Sequence, residues 1–163
     1  MLGVLLVLLV GSLGFAQYLV AMQQRKPHLV VLLDHLLATA EKPMMEDEVA
    51  ARSGMISGHP RYVHVFAWDA PRNMNTQQQI NEAAGIFEGI AEQNPDERGV
   101  GSIDGQLGIQ MSGKSAAGHF TMLRLAVIQS QAVAISYSGP APYTDADRTT
   151  FDALCSTGIQ FQK

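Results

Sequence analysis

The sequence predicts an α/β (α+β) fold, an antiparallel sheet flanked by helices, preceded by one N-terminal transmembrane helix and a short amphipathic helix. Three observations carry that expectation. The run Met1 to Met22 holds no charged side chain. One internal stretch repeats its apolar residues with a helical period. The second half of the chain consists of alternating, β-branched runs separated by turn residues. With 163 residues the chain has the length of one domain, and enough remains beyond the first helix to bury a core. The expected division is a transmembrane anchor over 1–24, an amphipathic helix and connecting segment over 25–58, and an α/β domain over 59–163.

In the first segment only Ser12, Gln17 and Tyr18 interrupt the apolar run before Gln23, Gln24, Arg25, Lys26 and Pro27 close it. As a helix, residues 1–22 reach about 33 Å, enough for a hydrocarbon core of roughly 30 Å. The bilayer is therefore an expected partner of this segment. A cleaved secretory signal is the competing reading, since Gly14 and Ala16 are spaced like a cleavage site. Against it, no Lys or Arg precedes the run, and apolar residues continue past Ala16 to Met22. Arg25 and Lys26 follow the span directly, so the positive-inside tendency keeps the following domain on the cytoplasmic side, the periplasmic side being the alternative.

Pro27 suits the first turn of a second helix, and Leu29, Leu32, Leu33, Leu36 and Leu37 recur at helical spacing through Lys42. That segment is too short for a second span and is expected to lie on the membrane surface or on the domain. Met44 to Arg52 reads as a short helix whose first turn favours Glu46, Asp47 and Glu48. Arg61 to Trp68 reads as a strand between Pro60 and Pro71. A capping box of Thr76 and Gln79 then opens the firmest helix, with Ile80, Ala83, Ala84, Phe87, Ile90 and Ala91 on one face and a stop at Asn94-Pro95. Gly85 and Gly89, one turn apart within it, point to close packing against the sheet.

Beyond Pro95 three strands are expected, Gly99 to Ser112, Phe120 to Gln129 and Ala132 to Ser138, joined as an antiparallel meander by a looser Gly113–Gly118 loop and a tight Ser130-Gln131 connection. Thr144 and Asp145 cap a last helix that places Phe151, Leu154 and Cys155 on one face. A short strand, Ile159 to Phe161, ends the chain.

Ile103-Asp104-Gly105 at the head of the meander, the strand pair LRLAVIQSQAVAISYSG and the closing TDADRTTFDALCSTGIQF resemble the PsbP-like α/β/α sandwich family over about residues 62–161. The resemblance implies a non-enzymatic accessory protein of a membrane complex, as the extrinsic photosystem II proteins of that family are, or a bacterial envelope protein. It carries no catalytic motif, so it transfers no functional residues. The hydrophobic N-terminus with its extra helix departs from the pattern.

A net charge of −4 with eleven scattered Lys and Arg supplies no basic field for phosphate backbones, so no nucleic acid partner is expected. Cys155 is the only cysteine, which excludes an internal disulfide and a thiolate metal set. The sharpest motif is Gly108 to Ser115, which fits G-x-x-x-x-G-K-[ST]; Gly108, Gly113, Lys114 and Ser115 would be its phosphate-binding residues. Such a loop must follow a strand and open a helix, whereas Ile109 and Met111 alternate as in a strand and a new strand follows Lys114. A hairpin loop is the expected structure there. His59 with His64, and His28 with His35, lack a third ligand, so no metal site is expected. Ser136 and Ser138 sit outside any nucleophile elbow, and Cys155 lacks an activating neighbour. Asp145, Asp147 and Asp152 are read as carboxylates favoured near a helix start. No cofactor and no catalytic residues are expected. The function expected is a membrane-anchored accessory or binding module, a stabilising or assembly subunit with integral membrane protein partners. The alternatives are a nucleotide-binding protein using Gly108–Ser115, and a secreted or periplasmic small-ligand binder after signal cleavage.

Overall fold

The structure is a computed structural model and describes residues 29–31, 37, 39–42, 47–71, 73–115, 117–128 and 130–161. The expected membrane span over residues 1–22 lies outside them. No helix among the described residues is long and apolar enough to cross a membrane.

A seven-stranded antiparallel sheet forms the centre. In chain order its strands are β2 (Thr39–Glu41), β3 (Glu48–Ile56), β4 (His59–Asp69), β5 (Glu97–Ile103), β6 (Gln106–Lys114), β7 (His119–Ile128) and β8 (Gln131–Pro140). In space they run β2-β3-β4-β8-β7-β6-β5, while β1 (Leu29–Val31) and β9 (Ile159–Phe161) pair separately. Two helices flank the sheet, α1 (Thr76–Ala91) and α2 (Asp145–Thr157). Each closes one hydrophobic layer. Phe66, Leu123, Leu125 and Met111 pack with Ala83, Phe87 and Ala91 of α1. Val63, Val133, Ile135 and Tyr137 pack with Phe151, Leu154 and Cys155 of α2. Strand β8 lies between the two layers and is buried on both faces from Ala132 to Tyr137, which is why its sequence reads as a continuous apolar run.

Both helices begin with reciprocal caps. For α1 the box is Asn75 with Gln78, one residue before the expected Thr76 and Gln79: Asn75 Oδ1 accepts from Gln78 N at 2.9 Å and Gln78 Oε1 accepts from Asn75 N at 2.9 Å. Thr144 caps α2, as expected, with Asp147 as the reciprocal partner. Gly85 and Gly89 do not pack against the sheet. Both are exposed, with open space where a Cβ would stand. Gly85→Ala and Gly89→Ala are therefore expected to stabilise the fold by about 0.5–1 kcal/mol each, through the helix entropy that glycine forfeits; a higher urea midpoint at unchanged slope checks this.

Three expectations are corrected. The helix expected over His28 to Lys42 is not found at its described residues, which include strands β1 and β2 instead. Val30 and Val31 favour extended backbone, and β1 pairs Leu29↔Phe161, Val30↔Gln160 and Val31↔Ile159. The leucine spacing has another purpose at its end, because Leu37 is buried over Gly54 in the α2-side core. The short helix expected over Met44 to Arg52 gives way to β3, whose edge is taken up by β4 along Ala50↔Val65 to Ile56↔His59; tertiary pairing overrides the weak local preference. Finally, Gly99 to Ser112 is two strands. Asp104 and Gly105 both have positive φ, 47° and 76°, the geometry of a two-residue hairpin turn that an Asp-Gly pair adopts readily. Ser57-Gly58 turns β3 into β4 in the same way.

Candidate functional site

α2 packs against β5 and β9 and sets Phe151 and Asp152 against Arg124 of β7, and the adjoining surface of β6 and β7 stays open. The result is a cleft of about 590 Å³. Gln110, Ser112, Met122 and Arg124 line its floor, and Arg148 and Asp152 of α2 line its wall. Arg124 is the organising side chain. Its Nε donates to Gln110 Oε1 at 2.7 Å, its Nη2 donates to Asp152 Oδ1 at 2.5 Å, and its guanidinium sits 4.9 Å from the centroid of the Phe151 ring. Such a clamped, stacked guanidinium presents a fixed rather than a mobile charge. At the far rim Ser112 Oγ donates to Glu97 Oε2 at 3.3 Å and Asp96 Oδ2 accepts the backbone N–H of Lys114 at 3.0 Å. Both signs of charge thus surround apolar surface from Phe120, Met122 and Phe151. The arrangement suits recognition of a mixed polar and apolar group.

The segment Gly108–Ser115 forms part of this region, but as a strand. Residues through Lys114 belong to β6. Ser115 then closes a hairpin loop, donating its N–H to His119 O at 2.7 Å and accepting from His119 N with its Oγ at 3.2 Å. A phosphate-binding loop needs free amides at the start of a helix, and here the chain proceeds into β7. The glycines answer to packing. A Cβ on Gly108 would fall 1.9 Å from the carbonyl oxygen of Leu125, and one on Gly113 would fall 3.1 Å from both Asp96 N and the Phe87 ring. Lys114 and Gly113 do line the cleft.

A second polar constellation was hidden in the sequence. Arg61 is fully buried and spends all five of its N–H groups. Nε and Nη2 donate to Asp147 at 2.6 and 3.0 Å, Nη1 donates to the carbonyls of Pro60 and Pro140 at 3.0 Å each, and Nη2 also donates to Pro142 O at 2.9 Å. Tyr137 Oη and Thr144 Oγ1 donate to the same carboxylate. Burial alone would raise the Asp147 carboxyl; hydrogen bonds from Arg61, Tyr137 and Thr144 outweigh it and hold the carboxyl far below the usual range. Burial, reinforced by the Asp147 hydrogen bond, drives the Tyr137 phenol well above its ordinary value. Asp147 is thus more than a carboxylate at a helix start, and Asp152 is the partner of Arg124. The signal for the pair was an arginine inside a strand, Arg61, among residues that alternate into the core.

The remaining candidates separate. His59 and His64 project from opposite faces of β4, as a spacing of five dictates; His28 and His35 lie outside the described residues. Among the described residues no group of three or more His, Cys, Asp and Glu is placed to hold a metal. His64 Nδ1 lies 2.6 Å from Glu48 Oε1, and Ser136 is directly opposite His64 on β8. The imidazole is nearly parallel to the Phe66 ring, with 6.4 Å between the centroids. Yet Ser136 Oγ is buried and makes no hydrogen bond among the described residues, so the three groups form no nucleophilic relay. His119 opens β7 at the sheet margin. Cys155 is buried in the α2 layer, and burial pushes its thiol up to about 12. A thiol so protonated and enclosed is expected to resist a maleimide reagent in the native protein and to react fully in denaturant; mass spectrometry of the adduct reads the difference.

No protein-family model matches the chain, and no curated protein sequence matches it. Among solved structures, the chain is similar to the solution structure of cyanobacterial PsbP (CyanoP) from Synechocystis sp. PCC 6803, with a TM-score of 0.52 and 9% sequence identity, over 76% of this chain and 80% of that one. At that identity the likeness is one of fold. It agrees with the PsbP-like sandwich expected from the strand and helix order.

Proposed function

We propose that this chain is a membrane-anchored, non-catalytic accessory or binding module, a stabilising or assembly subunit of a larger membrane protein complex. The observation that carries the reading is the uncharged run of residues 1–22, about 33 Å as a helix and so matched to a hydrocarbon core of roughly 30 Å. The interior supports it. Its strongest polar network, Arg61 with Asp147 and Tyr137, is sealed from solvent and joins β4 to α2, and its thiol is enclosed. The likeness to the PsbP fold is in keeping with an accessory role, and Arg25 and Lys26 favour a cytoplasmic domain.

The test is fractionation of cells expressing the full chain, followed by alkaline carbonate washing. The protein is expected to stay with the membrane, to have the intact mass of all 163 residues, and to co-purify with integral membrane proteins in mild detergent. Full-length protein in the soluble fraction, or a partner-free species in detergent, sinks the reading.

The cleft beside Arg124 favours a second one, a secreted or periplasmic small-ligand binder released by cleavage near Ala16. An intact mass lacking the first sixteen or so residues, with the protein soluble, would select it. The strand course of Gly108–Lys114 lends no support to a nucleotide-binding role.

A further inference from the structure

The sheet has two unlike edges. On one side β2 is only three residues long and ends at Glu41, next to Lys42. On the other, β5 is seven residues long and pairs with β6 without a break from Glu97↔Ser112 to Ile103↔Gln106. Its outer edge has no strand partner among the described residues. Proteins usually blunt such an edge with proline, lysine, a bulge or a covering element. None of the first three occurs between Glu97 and Ile103; a covering element reaches only the C-terminal end of the strand, where α2 packs on it and Cys155 O accepts from Asp104 N at 2.8 Å, and Glu97 to Val100 are exposed. The two most exposed large hydrophobic side chains among the described residues cluster here: Val100, 73% exposed, and Leu107 on β6, 77% exposed. Val100 pairs with Ile109, and Leu107 is two residues before Ile109, so both project on the α1 face of the sheet.

We infer that β5 is a self-pairing edge, joining two copies of this chain through an antiparallel β5–β5 ladder about a two-fold axis at Val100. Val100 is the middle residue of the strand, and the register that follows complements itself. Val100 meets Val100 of the partner subunit, with Leu107 of each copy beside it. Gly99 lies opposite the partner's Gly101, which leaves the other face of the joint free of clashing side chains, the space at Gly101 being already filled by Arg124. Glu97 lies opposite the partner's Ile103, and Arg98 opposite the partner's Ser102. Identical charges are thereby kept apart, by about 20 Å for Glu97 and about 14 Å for Arg98 at the usual strand rise. An isologous contact of this kind closes on itself and yields a dimer, not a fibre.

The experiment uses the full chain in mild detergent. Multi-angle scattering is expected to give a protein mass of two copies. Val100→Lys brings two ammonium groups together on the axis and is expected to give monomers, with a dissociation constant raised by at least about tenfold. Since Val100 is exposed in one copy, its thermal unfolding should match the wild type when both are diluted below the dimer's dissociation constant. Cysteine pairs read the register, with buried Cys155 as a silent background. Val100→Cys should oxidise to a linked dimer. Arg98→Cys alone should not, whereas mixing Arg98→Cys with Ser102→Cys should give the mixed disulfide. A wild-type monomer at the highest concentration reached, a Val100→Lys dimer of undiminished affinity, or a Val100→Cys chain that fails to link overturns the inference. The outcome is independent of whether a larger complex is found.

Discussion

Replacing Arg61 with alanine is expected to cost about 3–5 kcal/mol of folding free energy, a large share of what holds a small domain together. The reason is what remains afterwards. Asp147 would keep a buried negative charge with its guanidinium partner gone, and the carbonyls of Pro60, Pro140 and Pro142 would lose their shared donor. Arg61→Lys is expected to recover only part of the loss, because three donors on a flexible stem cannot reproduce a five-donor planar fork. Urea unfolding of the two variants reads both effects. The same pair sets an acid limit. The carboxyl of Asp147 titrates in the folded state below its unfolded value of about 3.9, so its contribution is present in full above that value and is lost as pH falls through and below it. Asp147→Asn should therefore be much less stable than wild type near neutrality, and the gap should narrow as the pH is lowered below about 4. Paired unfolding curves across that range supply the measurement; a gap that stays constant would mean that the carboxylate is not the source.

Gly108→Ala is the second large effect, about 3 kcal/mol or more by the cost of overpacking. The added methyl meets backbone, the carbonyl oxygen of Leu125 and the Cα of Ala126 at 2.9 Å, and a strand cannot rotate away as a side chain does. Relief requires β6 to separate from β7, so the loss should appear both in the urea midpoint and as faster amide exchange along Ile109 to Lys114. Lys114→Ala, at the end of the same strand, is expected to change stability by no more than about 0.5 kcal/mol. Two members of one apparent phosphate-binding pattern thus behave oppositely. That contrast is what a glycine retained for strand contact predicts.

The elements that the sequence displayed clearly are those whose local and tertiary demands agree. Phe87 and Ala91 recur at helical spacing and are buried on α1; Phe151, Leu154 and Cys155 do the same on α2, and Thr144 caps it. Where the demands diverge, the reading failed in an intelligible way. Leucines from Leu29 to Leu37 imitate a helical face, but Leu29 belongs to a strand and Leu37 to a core contact made across the chain. Ala50 and Ala51 look helical because alanine prefers helices, whereas here each is buried on a different face of β3. Asp104-Gly105 announced a turn that the long apolar alternation around it concealed. The cleft was not legible at all. Gln110, Arg124 and Asp152 belong to different elements and carry no motif; the β6–β7 register sets Gln110 opposite Arg124, and the placement of α2 adds Asp152.

The small ladder between β1 and β9 has a mechanical meaning. Leu29 and Phe161 are partners, so these two ends of the described fold lie side by side. Tension applied between those two ends would part the three residue pairs one after another, as a zipper opens, and would not load them together in shear. The central sheet would stay intact while β1 and β9 peel off. With a short linker between them, residues 161 and 29 could be joined and the chain reopened at the Ser115–Gly118 loop, giving a permuted protein with the same core.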